Sequence, residues 1–205
     1  MNWKTAYRSF YYKAAPEPED LVLVPAETVL LCIDVQNYGL APKPTAEEQA
    51  RWAPFYDRMH GTVIPNLRAL QQTFRDHNID VIHARIACLL DDGRDRSLSQ
   101  KMPGWNNLLM PRNSEESQII TELAPTADEI VVTKTTDSAL TGTNLRLILR
   151  NMGIRNVVVT GIYTDQCVSS TVRSLADESF NVILVEDCCA AGTLDLHHRE
   201  LEIIN

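Results

Sequence analysis

No stretch of the chain stays apolar for anything near the roughly 20 residues that a membrane-spanning helix needs. Positive charge is also scarce: 19 lysines and arginines stand against 27 acidic residues, a formal net charge of -8. No basic patch gathers to collect phosphates, which counts against nucleic acid as a partner. The N-terminal "MNWKTAYRSFYYK" is basic and aromatic but lacks an apolar h-region, so it does not read as a secretory signal. Cysteine is too sparse for a disulfide framework. There are five, an odd number, none in a CxxC pair and two of them adjacent (Cys188 and Cys189). That pattern points to a reducing cytoplasm and to thiols used mostly as small packing residues. There is no internal repeat and no low-complexity tract.

What is present is ordinary for a globular protein: 205 residues, 44% hydrophobic and 22% charged. This suits one α/β domain with a substantial core. Residues 1–24 read as an N-terminal arm that packs on the surface or on a neighbouring subunit, and 25–205 as the domain. Five runs are nearly continuous in Val, Ile and Leu: 28–34, 80–86, 129–134, 156–162 and 181–187. Continuous rather than alternating apolar character marks strands buried on both faces. Helical spacing lies between them. Val63, Leu67, Leu70 and Phe74 mark a helix in 58–77 that starts or kinks at Pro65. Residues 115–123 form a shorter candidate, 143–153 run from a Thr143 N-cap to Gly153, and 165–180 carry Val168, Val172, Leu175 and Ala176 on one side. The closing "HHRELEIIN" reads as a helix cut short, with His197 and His198 on its surface. Strands alternating with helices imply βαβ units, hence a three-layer α/β/α fold around a mainly parallel, Rossmann-like sheet of five or six strands.

In such sheets ligands bind beyond the carboxyl ends of the strands. Asp34 ends the first run, Lys134 the third, and the fourth leads into "GIYTDQCVS", where Cys167 falls at the first turn of a helix. An acid, a base and a thiol from separate strands thus project from one edge. A free thiol titrates near about 8.5 and reacts as the thiolate. A helix N-terminus and Lys134 would hold that thiolate, Asp34 would relay a proton, and backbone N–H groups of the turn would stabilise an oxyanion. Spacing leaves a second reading open, in which Cys167 packs, Asp34 caps a turn and Lys134 is a solvated strand end. Nearby, Gln36, Tyr163, Arg85 and Trp105 are candidates for substrate contact. Trp105 lies in 87–114, a loop long enough to serve as a lid or binding loop.

Three blocks, "LLCIDVQN", "VVTKTTDSALTGTNL" and "VVVTGIYTDQCVSSTVRSLADESFNVILVEDCCAAGT", resemble the signature blocks of the isochorismatase-like cysteine hydrolases. The resemblance implies an Asp-Lys-Cys triad at Asp34, Lys134 and Cys167. It also implies a cis peptide at Ile162–Tyr163, an oxyanion hole from the amides of Tyr163 and Cys167, and a homodimer or homotetramer. It implies hydrolysis of a small amide, ureide or carbamoyl compound through a thioester. A vinyl ether hydrolase of the isochorismatase type, or a scaffold that keeps only the fold, is the alternative. Two departures stand out. The Asp-x-His and further His that hold a metal in nicotinamidases are missing, since His83 stands alone in "HARIACLLDDG" and aspartates 91, 92 and 95 read as a solvated loop; no metal and no other cofactor are expected. Asp137 occupies a place where relatives often carry an aromatic.

Overall fold

A computed structural model describes residues 3–205. Met1 and Asn2, the start of the expected arm, lie outside the described residues. Five parallel strands form one sheet in the order β3-β2-β1-β4-β5. They are β1 (Thr28–Ile33), β2 (Asp80–Ile86), β3 (Ile130–Lys134), β4 (Asn156–Ile162) and β5 (Asn181–Ala190). Every residue of the central β1 and β4 is buried, which is why both read as unbroken apolar runs.

Alternation along β1 sorts its side chains between two cores. Val29, Leu31 and Ile33 pack with Leu145 and Leu149 of α4 (Leu145–Asn151) and with Val172 and Leu175 of α5 (Ser169–Asp177). Leu30 and Cys32 face the other way, toward Phe55 of α2 (Ala46–Arg58) and Leu67 and Phe74 of α3 (Ile64–Asp76). Helices therefore cover both faces of the sheet, and the expected three layers are present. A short α1 (Asn37–Leu40) follows β1, and α6 (Leu194–Ile204), capped by Thr193 Oγ1 on the Leu196 amide, closes over α5.

Local departures from the sequence reading have physical causes. The helix expected in 58–77 begins much earlier, at Ala46, where Thr45 accepts the Glu48 amide at 3.2 Å. It runs through a widened π turn, Met59–Val63, directly before Pro65. Proline has no N–H to donate, and a widened turn absorbs the missing bond without ending the helix. The helix expected in 115–123 reduces to one 3-10 turn, Thr121–Leu123. The backbone before it is used otherwise: the amides of Asn37 and Tyr38 donate to Gln118 and Glu116, and Gln36 bridges Ile119. Near its end β5 loses register with β4; Val159 pairs with Leu184 but Gly161 with Cys189. No helix among the described residues is long and apolar enough to cross a membrane.

Candidate active site

Strand order reverses around β1: β2 and β3 are laid down on one side of it, β4 and β5 on the other. That switch point opens a crevice at the carboxyl edge. Asp34 is the first residue past β1 and takes φ +53°, in the left-handed region, while its amide donates to Ala84 of β2. Aspartate is among the few non-glycine residues that tolerate this conformation, and it swings the carboxyl out of the strand's alternation. Lys134 closes β3, in register with Ile86, so its long side chain must cross the end of β2 to reach Asp34. Cys167 sits in the π turn Thr164–Val168 that links β4 to α5, and the Ile162–Tyr163 peptide is cis. Gly161 precedes that peptide at φ +117°, where any Cβ would collide with the Ile33 carbonyl oxygen. Only glycine lets β4 approach β1 so closely beside Asp34.

The three groups converge. Lys134 Nζ lies 2.7 Å from Asp34 Oδ2, 3.0 Å from the Thr136 carbonyl oxygen and 3.4 Å from Cys167 Sγ. Its three N–H bonds thus find three acceptors although the residue is 1% exposed. Asp34 Oδ1 is buried with no fixed partner, and Asp34 and Cys167 lie near enough to perturb one another. Burial works against the Lys134 charge, but Asp34 and Cys167 outweigh it and keep the ammonium protonated above the ordinary lysine value. Burial raises Asp34 above the usual carboxylate range, with Lys134 opposing. Burial, and then the Asp34 charge, push the Cys167 thiol well above its ordinary value. Both shifts favour a neutral thiol beside a carboxylate of raised basicity, where the sequence reading expects Lys134 to hold a thiolate. That combination suits a proton transfer coupled to attack rather than a preformed anion.

Around the sulfur, Tyr38, Ile86, Leu108, Met110, Tyr163 and Gln166 wall a cleft. The Tyr163 ring is fixed against Trp52 and Phe55, with centroids 5.8 and 5.2 Å away. Gln36 touches the cleft, but its amide is fully spent: Nε2 donates to the Ile86 and Ser117 carbonyls and Oε1 accepts the Ile86 amide at 2.9 Å. It staples the end of β2 to the 115–118 turn instead of offering a free group. Arg85 lies outside the cleft. Strand alternation turns it away while Ile86 faces in, and its guanidinium binds Gln118 Oε1 at 2.8 Å beside a separate depression. Trp105 is 83% exposed and also lies outside; Asn106, Leu108 and Met110 of the same loop are the residues that reach the cleft. The loop is pinned at its base, where the Cys88 amide donates to Met110 and the Arg112 amide to Cys88.

One feature was not foreseen. His197 is not on the surface of α6 but fully buried. Nδ1 meets Thr164 Oγ1 at 2.8 Å, and Nε2 faces Arg58 and Glu186, so the helix anchors the cysteine-bearing turn. Asp137 points into the cleft, with Oδ1 4.0 Å from Cys167 Sγ. His83 is buried in β2 against Glu129, Asp92 pairs with Arg94, and Asp95 accepts the amides of Leu89 and Leu90. Among the described residues no three His, Cys, Asp or Glu side chains cluster as metal ligands.

The Isochorismatase domain family model matches residues 28–205. The ureidoacrylate amidohydrolase RutB of Acinetobacter baylyi is 28% identical over 195 residues, covering 90% of this chain and 80% of the relative. The protein of the same name from Pseudomonas syringae pv. syringae is 30% identical over 189 residues, covering 85% and 76%. Among solved structures, N-carbamoylsarcosine amidase from Thermoplasma acidophilum superposes with a TM-score of 0.64 at 25% identity, covering 80% of this chain and 84% of that one.

Proposed function

From the premise that this chain belongs to the isochorismatase family, we propose that it is a cysteine-dependent hydrolase of amide C–N bonds in a small molecule. The observation that carries the proposal is the buried meeting of Sγ, Nζ and an unpartnered carboxylate oxygen. Cys167 Sγ attacks the substrate carbonyl carbon as its proton passes to Asp34. The Lys134 ammonium holds the negative charge that arises between them, and the amides of Tyr163 and Cys167 bind the oxyanion. Asp34 then protonates the leaving nitrogen, an amine or ammonia departs, and a thioester remains. Water, deprotonated by Asp34, cleaves the thioester and restores the thiol. A carboxyl of raised proton affinity suits both halves of this cycle, since it must take a proton and give it back. The amidohydrolase names of the relatives support the same bond type. In this reading the protein works in the cytoplasm with its five free thiols buried, and it assembles as a homodimer or homotetramer. The exposed Phe10, Tyr11 and Tyr12 of the N-terminal arm serve as the contact.

Ammonia release tests the proposal over a panel of biuret, ureidoacrylate, N-carbamoylsarcosine, maleamate and nicotinamide. At least one amide should turn over, and Cys167→Ala should lose on the order of a thousandfold or more in kcat. An amide turned over at full rate by Cys167→Ala overturns the thioester route. With the panel uncleaved, a vinyl ether hydrolysed equally by wild type and Cys167→Ala points to vinyl ether chemistry, and no turnover of either class points to a scaffold.

A further inference from the structure

Asp137 is the polar group beside the nucleophile that the reaction above leaves without a task. Its Oδ1 lies 4.0 Å from Cys167 Sγ. Among the described residues it forms no ion pair and no hydrogen-bond contact other than that thiol. Asp34 and Asp137 line the cleft, and no lysine, arginine or histidine among the described residues does. The one ammonium that reaches the sulfur is committed, since Lys134 Nζ is shared among Asp34, Thr136 and Cys167. Lys43 is turned toward the rings of Trp52 and Tyr38, 4.6 and 5.6 Å from their centroids, and lies outside the lining. With Lys134 paired to Asp34, the Asp137 charge is the one left uncompensated.

The consequence falls on the substrate. A carbonyl carbon under attack stands about 3–3.5 Å from the nucleophile. A nitrogen on that carbon then comes within hydrogen-bond reach of an oxygen 4.0 Å from the same sulfur. We propose that Asp137 is a specificity-determining residue: it selects uncharged or cationic ureides and amides with an N–H beside the scissile carbonyl, and it rejects molecules carrying a carboxylate there. The proposal rests on the amide-hydrolase reading. A like-charged carboxylate entering the cleft meets Asp137 with no cation to offset it. Asp137 is exposed, so solvent screening trims the repulsion to on the order of tenfold in affinity at most.

Two small ureides of opposite charge status probe this effect. Biuret is uncharged, whereas N-carbamoylglycine carries a carboxymethyl group, CH2–COO−, in place of the terminal carboxamide, so the change in their ratio on substitution, rather than the ratio itself, isolates the charge. Wild type and Asp137→Asn are compared by kcat/KM on both, and by calorimetric Kd in a Cys167→Ala background. Wild type should favour biuret by at least about tenfold, and Asp137→Asn should cut that ratio by about tenfold through KM and Kd. The wild-type ratio should also shrink with added salt while that of Asp137→Asn stays flat. A specificity ratio is insensitive to partial loss of folded enzyme, so a merely structural role does not move it. A ratio within twofold of wild type in Asp137→Asn, or a wild type that prefers N-carbamoylglycine, overturns the proposal. If wild type cleaves neither probe, the hydrolase reading fails for this substrate class, and the Kd ratio in Cys167→Ala decides on Asp137 alone; equal Kd values, or no binding of biuret, overturn it.

Discussion

Replacing Lys134 with methionine keeps the length of the side chain and removes its charge. The perturbation lands on a pair at 2.7 Å whose side chains are 0% and 7% exposed. Breaking such a pair from one side costs about 3–5 kcal/mol, because the remaining charge stays buried without compensation. The Thr136 carbonyl also loses its donor, adding roughly 1 kcal/mol. Lys134→Met should therefore lose about 4–6 kcal/mol at pH 7, a large share of a typical 5–15 kcal/mol total. A second substitution, Asp34→Asn, separates the charge from the shape, since asparagine also tolerates the left-handed backbone at position 34. The double variant should recover about 2–3 kcal/mol, with the Thr136 deficit persisting. The pH dependence has a definite sign. In Lys134→Met the carboxyl is raised further above its unfolded value near 3.9, so the folded state holds the extra proton. The ionic part of the penalty is then complete above the raised value, shrinks as pH falls, and vanishes below the unfolded value, leaving the Thr136 deficit of roughly 1 kcal/mol. Urea unfolding at pH 7 and pH 5 measures this. A loss under about 1 kcal/mol at pH 7, or a gap between wild type and variant that widens on acidification, refutes a buried ionic pair at this site.

Gly161→Ala adds a methyl group where the Ile33 carbonyl oxygen already stands, at a φ that L side chains avoid. It should cost more than about 3 kcal/mol or leave the protein insoluble, and a melting temperature within a few degrees of wild type contradicts the close approach of β1 and β4. Iodoacetamide labelling of Cys167, followed by mass spectrometry, should be slow at pH 7 and still rising past pH 9, because burial and Asp34 hold the thiol up. An apparent pKa below 7 shows a resting thiolate and overturns the neutral-thiol cycle. His197 is lowered to about 4, by burial first and the Arg58 charge second. A depressed histidine contributes stability that is complete above the unfolded value of 6.5 and is lost as pH falls toward about 4. The difference amounts to about 3 kcal/mol over that window. His197→Gln should flatten the decline in urea stability across it, and a variant that keeps the wild-type slope excludes His197 as its source.

Much of this was legible in the residues. The central strands announced themselves because burial on both faces leaves no polar position to interrupt Val, Ile and Leu, as in β1 and β4. Asp34, Lys134 and Cys167 were legible because strand ends in a parallel sheet share one edge. The cleft walls were not. Whether Arg85 or Ile86 faces inward depends on strand phase at the last residue, where a one-residue difference reverses the side. Trp105 suggests a ring that closes over a flat substrate, while the loop's orientation is set by backbone bonds between Cys88 and residues 110–112, which turn Asn106, Leu108 and Met110 inward instead. Residues 115–120 carry helical spacing, yet their carbonyls are claimed by the amides of Asn37 and Tyr38, an arrangement with no local signature. His197 on an amphipathic helix looked solvated because its partners Thr164, Arg58 and Glu186 are remote in the chain.

The sulfur, amine and carboxyl hang from the framework of the sheet, whereas Asn106, Leu108 and Met110 hang from a loop tied down near Cys88 and Met110. Rewriting the stretch between those two knots refits the room without disturbing its machinery. Diet and chemistry are separately editable in this molecule, so a library confined to residues 104–109 is the economical route to a new substrate.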